Sequence, residues 1–175
     1  MNLRTATLLL AALAAPHAAW PAVQQSGPDG FLIEHKFHIA AVPAVAWQVL
    51  VHPERWWPKD HTWSGDPTNL SLTPQAGGCF CERWDGGSSE HGRIVQVRDE
   101  HLLRFVGALG PLQDLAVTGV LTVTLTPDGG GTAAVVTYRV SGDPSHRLEG
   151  FVKVVDAVLA QQFGGFVALA SAPLR

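Results

Sequence analysis

Charge is scarce in this chain. Only 15% of its 175 residues are Asp, Glu, Lys or Arg, and the formal net charge is −3. A typical soluble domain carries about 25%. The lysines and arginines form no run, and nucleic-acid backbones are held by clustered ones, so no nucleic-acid partner is expected. Low charge with a hydrophobic fraction of 46% excludes a disordered chain and is ample for a core. Long apolar runs are missing as well. Ala6 to Ala15 is an almost unbroken one, but it is about half the ~20 residues of a spanning helix, so no stable membrane insertion is expected. Cysteine is reduced to two residues. The motifs G-x-S-x-G, G-x-x-x-x-G-K-[ST] and H-E-x-x-H are absent, which removes the commonest nucleophile, phosphate-loop and zinc-protease signatures.

What remains suits a single domain with a leader. Arg4 followed by the Ala6–Ala15 run and Pro16 has the pattern of a secretory signal peptide. We therefore expect residues 1–22 to be a signal peptide cleaved between Ala14 and Ala22, with the protein periplasmic or secreted. Residues 23–30 are polar with Gly and Pro and are expected as a linker. One domain should follow over 31–172.

Tryptophan is where the chain is rich. Five of its six lie between Trp47 and Trp84, four of them within W-W-P-K-D-H-T-W and G-G-C-F-C-E-R-W. Large rings with one polar N–H suit a partly apolar cavity wall. Around them, period-2 alternation predicts strands over Phe31–Ala40, Leu70–Thr73, Cys79–Trp84, Gly92–Arg98, Leu102–Leu109, Val117–Thr126 and Thr132–Ser141, the last two a hairpin across Pro127-Asp128-Gly129-Gly130-Gly131. Pro43–Val51 and a piece from Pro53 predict two short helices. After Ser145 the period becomes helical to about Ala170, with Phe151, Val155, Val158, Gln162, Phe166 and Leu169 on one stripe. Gly164-Gly165 should weaken that helix. The class is α+β: a curved antiparallel sheet of about six or seven strands around a long C-terminal helix, with two short helices after the first strand.

This order, with G-G-C-F-C-E ahead of G-R-I-V-Q-V, then L-R-F-V-G-A-L-G-P-L and a V-D-A-V-L-A-Q-Q helix, resembles the SRPBCC superfamily over Phe31 to Ala170. That group includes START lipid-transfer domains, pollen-allergen-like proteins, polyketide cyclases and a chaperone-ATPase activator domain. The resemblance implies a helix-grip fold with a hydrophobic ligand cavity, and it carries over no catalytic residue.

The expected function is binding of a hydrophobic or aromatic small molecule. The alternatives are a cyclase- or dehydratase-like enzyme using Glu82 or His35 as proton shuttle, and a protein-interaction module. The expected contacts are Phe80, Glu82 and Trp84 on one face of a strand, with His35, Tyr138 and Gln162. Trp57, His61 and Trp63 would form the mouth. Glu82 in a cavity would be desolvated and its pKa raised, making it a ligand contact or an acid–base group; the alternative is a salt bridge with Arg83 or Arg104. No cofactor and no metal is expected. Cys79 and Cys81, at i and i+2, should lie about 6.7 Å apart by strand rise, longer than a disulfide prefers. Free thiols are the expectation; a redox-active pair and a two-ligand metal site are the alternatives.

Overall fold

The computed structural model describes residues 22–173. Eight strands form one antiparallel sheet: β1 (Val23–Gly27), β2 (Gly30–Ile39), β3 (Leu70–Leu72), β4 (Cys79–Trp84), β5 (Gly87–Arg98), β6 (Leu102–Val106), β7 (Val117–Asp128) and β8 (Gly131–Gly142). Their spatial order is β1-β2-β8-β7-β6-β5-β4-β3. Helix α1 spans Pro43–Leu50, and α2, the long C-terminal helix, spans Val152–Ala170. The sheet grips α2, which packs against β2, β1 and α1. This is the helix-grip arrangement.

Local chemistry sets the elements. Pro43 opens α1 with its ring at the first turn, where no N–H is needed. Asp128-Gly129-Gly130-Gly131 closes the β7–β8 hairpin, and Gly129 and Gly130 take the positive φ values that turn requires (57° and 88°). The inward residues Leu121, Val123, Leu125, Ala134, Val136 and Tyr138 are almost fully buried. They pack with Ile33, Ile39, Phe80, Ile94, Phe105, Phe163 and Phe166 into one core.

Two expectations need correction. The segment expected as a linker forms β1, joined to β2 through a two-residue Pro28-Asp29 turn. It escapes period-2 analysis because β1 is an edge strand whose middle residues Gln24, Gln25 and Ser26 are exposed. The buried stripe of α2 also differs: Val152, Leu159, Gln162, Phe163, Phe166 and Ala170 are buried. Pro144–His146 and Leu148–Gly150 are 3-10 turns, so α2 begins at Val152. Val155 and Val158 are only half-buried, because they face a cavity. The proposed leader lies outside the described residues, Ala22 excepted.

The glycine pair in α2 does not break it. A Cβ on Gly165 would lie 2.8 Å from the Trp56 carbonyl oxygen, whereas one on Gly164 would meet nothing within 4 Å. Gly165 is therefore the close-approach point of the helix and Gly164 is not. Gly165→Ala is expected to destabilise by about 1–3 kcal/mol through overpacking. Gly164→Ala should stabilise by about 0.5–1 kcal/mol through helix propensity. Denaturant titration of the two variants reads both signs; equal effects would refute the assignment.

Candidate functional site

A cavity of about 220 Å³ lies between α2 and the segment that follows α1. Trp57, Asp60, His61, Thr62 and Trp63 form one wall. Val154, Val155, Val158, Leu159 and Gln162 of α2 form the other. Leu109, Gly110 and Pro111 make the rim, and His91 of β5 closes the set.

Each wall is held in place. Trp57 donates its indole N–H to the His61 carbonyl (2.9 Å), fixing the turn over residues 59–61. The Trp57 ring meets Phe80 edge-on, with centroids 5.1 Å apart. Tyr138 donates to the Gly107 carbonyl (3.1 Å) and accepts the Leu109 N–H (3.0 Å), which fixes the rim from below. Burial pushes the Tyr138 phenol far up, against the smaller opposing effect of the Leu109 bond, so it stays a neutral anchor.

Beside the cavity is a buried polar cluster. Glu82 is 0% exposed. Its Oε1 accepts the Ser64 N–H (2.6 Å), and its Oε2 accepts the Trp63 N–H (3.0 Å) and lies 2.9 Å from His91 Nε2. Burial pushes this carboxyl up, but the hydrogen bonds from Ser64, Trp63 and His91 together outweigh it and hold it below the ordinary carboxylate range. This reverses the direction expected from burial alone. His91 is 3% exposed, and its pKa is lowered: burial dominates over the pull of Glu82. At neutral pH, then, Glu82 is ionised and His91 neutral. Glu82 can only accept, so Nε2 carries the proton and Nδ1 is left as an acceptor. The His91 ring also lies against Phe80, tilted by 34° with centroids 5.0 Å apart.

The backbone device that brings His91 inward is a β-bulge. Phe80 pairs with Gly92 and Cys81 pairs with Glu90, leaving His91 as the extra residue. A bulge re-aims a side chain that regular alternation would send to the other face. Gly92 makes room: a Cβ there would lie 2.4 Å from the Phe105 ring. Nothing in the alternation of residues 87–98 singles out His91; the glycine inside a strand is the one available signal.

The other sequence candidates distribute as follows. Trp57, His61, Trp63 and Gln162 line the cavity, Trp63 being 50% exposed at its mouth. Phe80 lies under it in the core, and Glu82 stands behind His91. Trp84 is half-buried and covers Gly87 in the β4–β5 hairpin, where a Cβ would lie 2.5 Å from its ring. Tyr138 anchors the rim. His35 Nε2 lies 2.9 Å from Asp156 Oδ1 and joins β2 to α2. Two polar atoms of the lining residues are buried without a partner: Gln162 Oε1 and His61 Nδ1.

The cysteines need correction as well. Cys79 and Cys81 form a disulfide, with Cα atoms 5.4 Å apart. The bulge sits in the ladder between their two pairings, and the added local twist accompanies an i, i+2 distance within disulfide range. Among the described residues, Cys79, Cys81 and Glu90 are the three potential metal ligands that cluster, with donor atoms within 4.8 Å of one another. With both sulfurs bonded to each other, they cannot ligate as thiolates.

A family model described as polyketide cyclase/dehydrase and lipid transport matches residues 31–171. Among solved structures, protein MLL2253 of Mesorhizobium loti is 22% identical with a TM-score of 0.55, covering 82% of this chain and 99% of that one. A protein of Rhizobium leguminosarum is 14% identical with a TM-score of 0.60, covering 81% and 95%. Protein Ms6760 of Mycobacterium smegmatis is 18% identical with a TM-score of 0.55, covering 87% and 99%. At these identities the likeness is one of fold. No curated protein matches the chain.

Proposed function

Because the chain belongs to the polyketide cyclase/dehydrase and lipid transport family, in the SRPBCC superfamily, we propose that it binds a small aromatic or hydrophobic molecule bearing a hydrogen-bond donor, in the cavity between α2 and the Trp57–Trp63 segment. The observation that carries this reading is Gln162: 3% exposed, lining an apolar cavity, with Oε1 unpartnered. A buried acceptor left unpaired costs about 1–3 kcal/mol, and a ligand donor would remove that cost. Size narrows the class. About 220 Å³ exceeds the ~150 Å³ cavity that holds benzene and falls below the ~300–1,000 Å³ of drug-sized sites. One or two rings fit; a two-chain lipid does not fit within it.

The test is titration with one- and two-ring phenols, followed by tryptophan fluorescence, on the protein and on Val158→Trp. The larger ring should fill the cavity and weaken binding by at least ~10-fold, about the effect of losing one well-packed contact. Unchanged affinity in Val158→Trp would move the ligand elsewhere.

A second reading is supported by the His91–Glu82 pair. A neutral imidazole, oriented by a carboxylate at Nε2, leaves Nδ1 as a proton acceptor at a cavity wall, which is what a cyclase- or dehydratase-like proton transfer needs. Under it, His91→Gln retains binding and abolishes turnover of the bound compound; under simple binding there is no turnover to lose.

A further inference from the structure

The outer face of β4 holds chemistry that the cavity does not use. Cys79 and Cys81 alternate with Phe80 and Glu82, so their disulfide lies on the side of the sheet away from α2. The bond closes a loop within one strand. In the chain-entropy account, the stabilisation from a disulfide grows with the length of the loop it closes, and this loop spans a sequence separation of only 2. It links no two elements, and β4 is already laddered to β3 and β5. A staple at this position has little to hold.

The surroundings suit reaction instead. Cys79 is half-exposed and Cys81 is 6% exposed. Cys79 stands opposite Arg93 and Cys81 opposite Glu90, and these two cross-strand neighbours form an exposed ion pair. Glu90 Oε2 is 3.9 Å from Cys79 Sγ. The Glu90 carboxylate alone would repel a thiolate at Cys79, but the Arg93 guanidinium paired with it, on the residue directly across from Cys79, offsets that repulsion.

We infer that Cys79–Cys81 is a thiol–disulfide exchange site for low-molecular-weight thiols and disulfides, with Cys79 as the sulfur attacked. The cycle balances. A thiolate RS⁻ attacks Cys79 Sγ and forms a mixed disulfide, while the Cys79–Cys81 bond breaks and Cys81 leaves as thiolate and takes up a proton. A second RSH, giving up its proton as it attacks, cleaves the mixed disulfide at the R-bound sulfur and forms RSSR; Cys79 leaves as thiolate and is protonated. Two thiols are oxidised and one protein disulfide is reduced; oxidation by RSSR runs the same steps backwards. This site is separate from the cavity, so its failure and that of the binding reading are distinguishable.

The experiment equilibrates the full chain with mixtures of reduced and oxidised glutathione, quenches with an alkylating reagent and reads intact mass. One reversible transition between zero and two alkyl adducts is expected, with the tryptophan fluorescence of the folded state kept throughout. A bond that persists in every mixture, or that opens only when the protein unfolds, overturns the proposal. The single variants assign the roles. Cys81→Ser should accumulate the glutathione mixed disulfide about 10-fold faster than Cys79→Ser, because thiol reactivity follows access and local charge. Equal rates, or the reverse order, would refute Cys79 as the reacting sulfur.

Discussion

Glu82→Ala should destabilise the protein by about 3–5 kcal/mol, the range for breaking a buried charged hydrogen-bonded pair. The substitution strands the Trp63 and Ser64 N–H groups and removes the partner of His91 Nε2. It also frees the segment that forms a wall of the cavity. Glu82→Gln keeps the volume and one acceptor oxygen, so it should lose less. The same cluster makes stability depend on pH. His91 is held neutral below its ordinary value of 6.5, so the unfolded chain binds the proton first and stability falls as pH drops below about 6.5. Glu82 is held below its ordinary 4.5, so its contribution is present above that value and lost as pH falls through the lower folded value. Both act in one direction, and acid should weaken the fold in two steps. Denaturant melts from pH 8 to 3 read this, and His91→Phe should erase the upper step and shrink the lower one, since Glu82 then loses one of the hydrogen bonds that hold it down. A profile flat between pH 7 and 5 would refute a buried neutral His91.

Gln162→Met is expected to do the opposite to the empty protein. It replaces an unpaired buried amide with an apolar chain of similar volume, and should stabilise by about 1–2 kcal/mol. The same change should weaken binding of a donor-bearing phenol by roughly 10-fold, since the ligand loses its acceptor, and leave the ring without the hydroxyl unaffected. Thermal melts and paired titrations separate these effects. A destabilised Gln162→Met with unaltered phenol binding would mean that the amide serves the fold and not a ligand.

These residues differ in how far they can be read before folding. The β7–β8 hairpin is legible because alternation and the Gly-rich turn agree. Strand β4 starts and ends where its pattern does, at Cys79 and Trp84. The aromatic mouth is legible as composition: Trp57, His61 and Trp63 do meet at one wall. Four features are not legible for identifiable reasons. β1 lacks alternation because it is a half-solvated edge. Glu82 reads as a cavity acid because strand alternation reports a face and not a partner, and its partners are backbone groups eighteen and nineteen residues away. His91 is hidden because the bulge reverses the alternation that would assign its side. The disulfide is hidden for the same cause, since ideal strand rise does not apply beside a bulge.

That irregularity also says something about how such a site can arise. The pairs Phe80–Gly92 and Cys81–Glu90 would be consecutive in a β5 lacking His91. The β4–β5 ladder is thus complete without the imidazole. In genetic terms the histidine has the form of a one-codon insertion: it adds a functional group to the interior without shifting the β4–β5 register on either side of it. Strand interiors normally forbid single-residue insertions, because one slip turns every later side chain over. Here the local fold contains the slip within one residue, and chemistry can be gained or lost in a strand at the scale usually reserved for loops.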